Sequence, residues 1–220
     1  LGGMPRPERM ADERIADVVE SDAIVIDTRR ADDYADAHVP GTINIPLNRS
    51  FNTWAGWFVP YDRDIYLLVG GPDAEARVDE AVRDLAMIGL DRVAGWFEAT
   101  AVDHWAASGK PLAAVEQMDV DTLRERMREG EVHVVDVRGQ TEWEAGHLPG
   151  VENIPAGYIT DRLDEIPRDK PVVLQCQGGG RSAIAASVLE AKGFENVINL
   201  RGGYAAWRQA GHPTEKDEAR

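Results

Sequence analysis

The chain has 220 residues, of which 43% are hydrophobic, and its formal net charge at pH 7 is -15. This length is enough for two modest hydrophobic cores, and no apolar run approaches the roughly 20 residues needed to cross a bilayer. The acidic surplus argues against nucleic acid as a partner, since nucleic-acid binding depends on clustered Lys and Arg side chains.

The chain contains one cysteine and no signal-peptide pattern. A single cysteine excludes an internal disulfide, so we expect a reducing compartment, by default the cytoplasm. The sequence begins at Leu1 without an initiator methionine, which predicts that the protein is processed or cut from a longer one.

The first half of the sequence alternates between helical and β-rich patterns. Helix-favouring stretches are residues 9–20, 31–37, 76–88 and a segment ending near Gly109. Strand-favouring runs are residues 23–27, 43–45, 65–69 and a segment near Val93. This alternation predicts an α/β fold in which a mainly parallel sheet is flanked by helices on both faces.

Aromatic residues cluster over residues 51–58, a segment that occurs only in the first half of the chain. Clustered aromatic side chains most often fill a core, but they also form partner-binding surfaces. The sequence leaves both interpretations open.

The second half of the chain repeats the pattern of the first, because residues 25–46 align without a gap on residues 134–155. The coinciding residues include Asp27 and Asp136, Arg29 and Arg138, and His38 and His147. A repeat of this length is a domain rather than a solenoid unit, so we predict two tandem domains, residues 1–114 and 115–220.

Residues shared by both copies are predicted to be scaffold groups. We expect Asp136 and Arg138, like Asp27 and Arg29, to hydrogen-bond turns or to pair with Glu142 and Asp33, respectively. The histidines show no metal-ligand spacing, so no metal site is predicted.

Residues 172–182 form the most distinctive stretch of the chain. An apolar run ends at Cys176, three glycines follow, and Arg181 and Ser182 open a helical run. A strand, tight loop and helix start of this kind turns backbone N–H groups inward and adds the positive end of a helix dipole, which suits an anion. These donors and Arg181 would favour the thiolate of Cys176, the form that acts as a nucleophile.

The alternative interpretation is that Cys176 is a buried small hydrophobe, as free cysteines usually are. The adjacent glycines and Arg181 favour a catalytic role instead. We therefore predict Cys176 and Arg181 as catalytic residues. The predicted substrate-binding residues, all from the same loop, are Gln177, Gly178, Gly179, Gly180 and Ser182.

The motifs resemble the rhodanese superfamily of sulfurtransferases. The residues that carry this resemblance are the loop 176–181, the Asp136-Val137-Arg138 triplet, residues 146–155 and residues 202–207. Phosphatases with a Cys-to-Arg loop are the competing family, but there one more residue separates Cys from Arg. The four residues between Cys176 and Arg181 match the sulfurtransferase branch.

The resemblance implies two tandem rhodanese-like domains and a double displacement without a metal or an organic cofactor. Cys176 would take the outer sulfur of a small anionic donor, such as thiosulfate or a low-molecular-weight persulfide, and pass it to a thiol or to cyanide. The alternative is a regulatory or sulfur-carrier module without independent turnover.

The first domain lacks the thiol of the second. In the sequence alignment Gly70 falls on Cys176, and Arg77 falls on Arg181 if the first loop is two residues longer. Asp73 and Glu75 would repel an anion there. We therefore expect this domain to be catalytically silent and structural or interface-forming, and the opposing hypothesis is that it keeps an anion or regulatory site.

Residues 51–58 and the start Leu1-Gly2-Gly3-Met4 also resemble the tandem rhodanese tail of some metallo-β-lactamase-fold proteins, including persulfide dioxygenase fusions. This resemblance implies a metal-binding domain upstream of Leu1 as a possible partner.

Overall fold

The chain folds into two units, each built around one five-stranded sheet. The structure, a computed structural model, describes residues 6–216, so the segment Leu1-Gly2-Gly3-Met4 lies outside the described residues. The chain divides between Ala114 and Val115. Within residues 6–216, no helix combines the length and the apolar character that a membrane span requires.

The strands and helices of the first unit alternate along the chain. Its strands are β1 (Glu8–Arg9), β2 (Ile24–Asp27), β3 (Ile43–Asn44), β4 (Ile65–Val69) and β5 (Val93–Glu98). Its α-helices are α1 (Ile15–Val19), α2 (Ala31–Asp36), α3 (Phe51–Phe58), α4 (Ala74–Met87) and α5 (Thr100–Ala107), and a 3-10 turn covers Asp12–Arg14.

The second unit repeats this order. Its strands are β6 (Glu116–Met118), β7 (His133–Asp136), β8 (Glu152–Asn153), β9 (Val172–Gln175) and β10 (Val197–Leu200). Its α-helices are α6 (Val120–Glu129), α7 (Gln140–Glu144), α8 (Gly180–Ala191) and α9 (Gly203–Gln209), and 3-10 turns cover Ala156–Asp161 and Leu163–Glu165.

The two sheets have the same topology. The strand orders are β1-β5-β4-β2-β3 and β6-β10-β9-β7-β8, and the strands in each pair run parallel. Parallel neighbours require crossover connections, which place helices over the sheet faces. The α/β fold with two parallel sheets is therefore confirmed.

Helices cover both faces of the second sheet. Val173 and Ile198 join Leu123 of α6 and Trp207 of α9 in one apolar core. Side chains alternate along a strand, so the buried Leu174 lies on the opposite face, where α8 packs against β9 and β10. This alternation explains why residues 172–174 form an unbroken apolar run.

Two parts of the first unit differ from the sequence expectation. The predicted helix over residues 9–20 is interrupted: Glu8–Arg9 pairs with β5 as an edge strand, a 3-10 turn follows, and only Ile15–Val19 is α-helical. The aromatic segment forms α3, which buries Phe51 and Ala55 but leaves Trp57 47% exposed. It therefore fills the core in part, and a partner-binding role for its exposed side stays a prediction.

The repeated motif forms the same hydrogen-bond frame in both units. The Arg138 guanidinium donates to the Asp136 carboxylate and to the carbonyl oxygen of Gly146, and Arg29 makes the corresponding bonds to Asp27 and to a helix-end carbonyl. The expectation that Arg138 pairs with Glu142 is wrong, because the two residues of the motif pair with each other. Their scaffold role follows from burial, since Arg138 is 1% exposed and Asp136 is fully buried.

His38 makes the stability of the first unit dependent on pH. Its ring stacks on Tyr34 and donates from Nδ1 to the Tyr34 carbonyl oxygen at 2.9 Å. Burial lowers the pKa of His38 to about 4. Because an unfolded histidine titrates near 6.5, the unfolded state binds the proton first, and stability is lost as the pH falls from about 6.5 to about 4.

We expect this loss to reach at most about 1.4 kcal/mol per pH unit, and His38→Gln to remove it. Urea unfolding between about pH 7 and pH 4 measures the slope. His104→Gln, on the surface of α5, is the control for removing a histidine. Burial raises the pKa of Asp27, which acts in the opposite direction, so the difference between variant and wild type isolates His38. An unchanged slope in His38→Gln would contradict the assignment.

Candidate active-site loop

The candidate site lies where β9 ends, at the carboxyl edge of the second sheet. Cys176 follows directly after Gln175, and α8 begins at Gly180 after only three intervening residues. Gly179, which precedes the helix, has a φ of 95°, a left-handed conformation that favours glycine. The tight connection thus places the Cys176 side chain against the first turn of α8.

The Cys176 thiol is buried and touches two donors. The Gly179 N–H donates to Sγ at 3.2 Å, and the Ser182 hydroxyl lies 3.4 Å from Sγ. The same hydroxyl lies 3.1 Å from the Gly179 carbonyl oxygen, so its single hydrogen serves either the sulfur or the carbonyl. Both donors would gain strength as negative charge develops on the sulfur.

The outer part of the loop is open to solvent. Gln177, Gly178 and Gly180 are exposed, and within residues 6–216 the N–H groups of Gln177 and Gly178 donate to no protein acceptor. Backbone N–H groups that face solvent beside a helix start are available to an anion. Gly179 and Ser182 form the buried side of the loop, and Gln177 and Gly178 form the accessible side.

Helix α9 fixes the direction of the loop carbonyls. The N–H of Tyr204 donates to the Cys176 carbonyl oxygen at 2.8 Å, and the N–H of Ala205 donates to that of Gln177 at 3.0 Å. A Cβ on Gly203 would overlap the Cys176 carbonyl, so only glycine permits this approach. Because its carbonyls are bound to α9, the loop directs N–H groups towards the sulfur.

The shared scaffold supports α9 in turn. The Arg138 guanidinium lies over the Tyr204 ring at 4.1 Å, in addition to its bonds with Asp136. A cation over an aromatic face is attractive, more so when both are shielded from water. Arg138 therefore acts on the site through Tyr204 rather than by contact with the thiol.

Arg181 is held by Glu142, a residue that the sequence interpretation did not place in the site. Both terminal nitrogens of Arg181 donate to the Glu142 carboxylate, at 2.6 and 2.7 Å. Glu142 also accepts from the N–H of Gly139 at the start of α7. The Arg181 hydrogen bonds hold the pKa of Glu142 below its usual range, so the carboxylate is ionised, and Glu142 raises the pKa of Arg181.

The structure corrects the alignment of the corresponding loop in the first unit. The N–H of Thr28 donates to the Leu68 carbonyl, as the N–H of Val137 donates to the Gln175 carbonyl. Val69, not Gly70, thus occupies the strand position that matches Cys176, and it is buried. An apolar side chain fills the space that the thiol occupies in the second unit.

The charges near the first loop also differ from those of the second. Asp73, with a φ of 58°, takes the left-handed position before α4, as Gly179 does before α8. Glu75, not Arg77, is therefore the second residue of its helix and matches Arg181, so the expected alignment of Arg77 with Arg181 is wrong. Among the residues the structure describes, no group of three or more His, Cys, Asp or Glu side chains could hold a metal ion.

A family-model match covers most of the second unit. The sequence model of the family described as "Rhodanese-like domain" matches residues 119–210. A sulfurtransferase of Allochromatium vinosum is 38% identical over 100 residues, which are 45% of this chain and 94% of that protein. The thiosulfate sulfurtransferase GlpE of Pseudoalteromonas translucida is 32% identical, over 44% of this chain and 92% of its own length.

Two further matches each cover 46% of this chain. A putative sulfur carrier protein of Bacillus subtilis, YrkF, is 29% identical over 46% of this chain, which spans about half (55%) of that protein. The crystal structure of a rhodanese-related protein from Thermoplasma volcanium is 28% identical, with a TM-score of 0.43, and the match covers 46% of this chain and 97% of that one.

Gly203→Ala tests how far the loop depends on α9. Gly211→Ala is the matched control, because Gly211 is also left-handed, with a φ of 72°, but has open space around its Cα. The control carries only the backbone penalty of about 1–2 kcal/mol. We expect Gly203→Ala to lose at least about 3 kcal/mol in urea unfolding, together with the reactivity of Cys176 towards iodoacetamide. Equal effects of the two variants would contradict the proposed support by α9.

Proposed function

This chain belongs to the rhodanese-like domain family, and from that premise we propose that it moves a sulfane sulfur from a small anionic donor to a thiophilic acceptor through a persulfide on Cys176. The observation that carries the proposal is the environment of Sγ, which lies at the end of β9 against the Gly179 N–H and the Ser182 hydroxyl. These contacts suit an Sγ that carries negative charge as the attacking thiolate and again as the leaving group of the second displacement.

In the first displacement, the Cys176 thiolate attacks the outer sulfur of thiosulfate. A new S–S bond forms at Sγ, the bond within the donor breaks, and its electron pair leaves with sulfite. A low-molecular-weight persulfide reacts in the same way and leaves as a thiolate. Neither reaction changes the total charge, and neither requires an external oxidant or reductant.

In the second displacement, a thiol or cyanide attacks the outer sulfur of the Cys176 persulfide and regenerates the thiolate. The exposed N–H groups of Gln177 and Gly178 lie on the open side of the loop, where they can hold the outer sulfur. Gly180 opens the first turn of α8 beside them. Arg181, at the second position of that helix, is the second proposed catalytic residue, and Glu142 holds its guanidinium.

The first unit is proposed to be a silent rhodanese-like copy. Two observations support this: its strand order is that of the second unit, and Val69 occupies the position of the thiol. A metallo-β-lactamase-fold domain upstream of Leu1 and a cytoplasmic location remain proposals that rest on the sequence.

Cys176→Ser tests the central step. Incubation with thiosulfate should add one sulfur, about 32 Da, to the wild-type chain and nothing to the variant, because the chain has no other thiol. Intact-protein mass spectrometry with and without a reductant measures the addition. Repeated sulfite release on adding cyanide would show catalytic turnover, whereas a carrier would load once and stop. Addition of sulfur to the Cys176→Ser variant would refute the proposal.

Arg181→Ala and Arg77→Ala compare the first helical turns that follow the two loops. Arg181→Ala breaks the charge-assisted bonds to Glu142 and leaves its carboxylate uncompensated near an anionic donor. A loss of this kind costs on the order of 1.5–3 kcal/mol, so kcat/KM for thiosulfate should fall roughly ten- to a hundredfold. Arg77 lies in the unit without a thiol, and its replacement should leave kcat/KM unchanged. Steady-state sulfite release measures both, and equal losses would contradict a silent first unit.

A further inference from the structure

The Arg181–Glu142 contact is more than a surface ion pair. It is bidentate, it joins α8 to α7 across 39 positions of sequence, and its side chains are only 28% and 40% exposed. The second anchor of Glu142, the Gly139 N–H, fixes the carboxylate at the start of α7. The guanidinium fork therefore already has a partner before any donor arrives.

The charges around the loop balance one another. Arg181 is the second residue of α8, and the Cys176 Sγ lies against the residue that precedes this helix. The hydrogen bonds to Glu142 are the main cause of the raised pKa of the Arg181 guanidinium. The next charges are Asp136 and Arg138, which form their own buried pair. An incoming donor thus meets two neutralised ion pairs, and backbone N–H groups supply its main attraction.

The total negative charge in the site depends on the donor. Attack on thiosulfate brings a dianion beside the Cys176 thiolate, whereas a persulfide whose organic part is uncharged brings at most a monoanion. In a partly desolvated site, an additional uncompensated charge a few ångströms away is costly. The carboxylate of Glu142, which cancels Arg181, should therefore penalise thiosulfate more than a persulfide.

We infer that Glu142 is a positioning residue that restrains Arg181, and this inference rests on the proposed function. Through this restraint, the site would select persulfide donors with at most one negative charge over dianionic thiosulfate. The favoured reaction is attack of the Cys176 thiolate on the outer sulfur of R–S–S–H or its anion. The S–S bond of the donor breaks, its electron pair stays with the leaving thiolate, and any proton on the outer sulfur passes to that thiolate.

Glu142→Gln separates charge from shape, because it keeps the size of the side chain. With thiosulfate, we expect kcat/KM to rise about tenfold, mainly through a lower KM, since Arg181 becomes free to bind the dianion. With 2-hydroxyethyl persulfide, which carries no other charged group, the change should stay within about twofold. Glu144→Gln removes the same charge from the same helix at an exposed position and should alter neither donor.

A double variant distinguishes restraint from direct donor contact. Arg181→Ala alone leaves the Glu142 carboxylate uncompensated, so thiosulfate should react more slowly than with wild type. Adding Glu142→Gln removes that carboxylate and should restore kcat/KM for thiosulfate to within about threefold of wild type. If Arg181 instead binds the donor directly beside an inert Glu142, the double variant stays as slow as Arg181→Ala.

The outcomes separate this inference from the proposed function. If the wild-type chain gains one sulfur on Cys176 but Glu142→Gln leaves the ratio of the two donors unchanged, the inference is wrong and the sulfurtransferase proposal stands. Parallel gains in Glu144→Gln would assign the effect to net charge and also overturn the inference. If neither donor loads Cys176, both proposals fail.

Discussion

The candidate active-site loop keeps its shape because α9 approaches it without a side chain in between. Two backbone hydrogen bonds, from Tyr204 and Ala205, join helix and loop, and each contributes only about 0.5–1.5 kcal/mol net. The stricter requirement is steric, since any Cβ on Gly203 would overlap the Cys176 carbonyl. The direction of the loop carbonyls, and hence of the N–H groups beside Sγ, depends on this contact.

The buried pair of Asp136 and Arg138 shows how the scaffold supports that contact. Burying two charges is costly, and such a pair is tolerated only when further hydrogen bonds satisfy both groups. Here the Gly146 carbonyl and the Arg138 backbone N–H supply those bonds, and Tyr204 lies against the guanidinium. The first unit keeps an equivalent pair without a thiol, so the pair serves geometry in both units.

Much of this arrangement could be predicted from the sequence, because its signals are local. Period-two and helical patterns, the gapless repeat, and a cysteine between an apolar run and three glycines each lie within a few positions. The two-residue strand Glu8–Arg9 could not be predicted, since its pairing with β5 depends on tertiary contacts. The strand position of Val69 likewise became clear only from hydrogen bonds to β2.

Glu142 was missed for a related reason. A glutamate in the first turn of a short helix is a common cap, and nothing nearby in the sequence connects it to Arg181. Only the meeting of α7 and α8 turns that capping residue into a neighbour of the reactive loop. The fold topology determines such long-range charge pairs, whereas the Cys176 loop motif can be recognised from neighbouring residues in the sequence.

The 2% exposure of Cys176 has a consequence for how the protein withstands oxidants. Peroxide attacks accessible thiolates most readily, and oxidation beyond the sulfenic stage is irreversible in most proteins. A recessed Sγ is shielded while the protein waits for a donor. In the proposed persulfide, the outer sulfur would lie about 2 Å from Sγ. Burial thus protects Cys176 while it carries no extra sulfur. In the persulfide, an oxidant would reach the outer sulfur first, and its oxidation would cost a transferable sulfur atom rather than the cysteine.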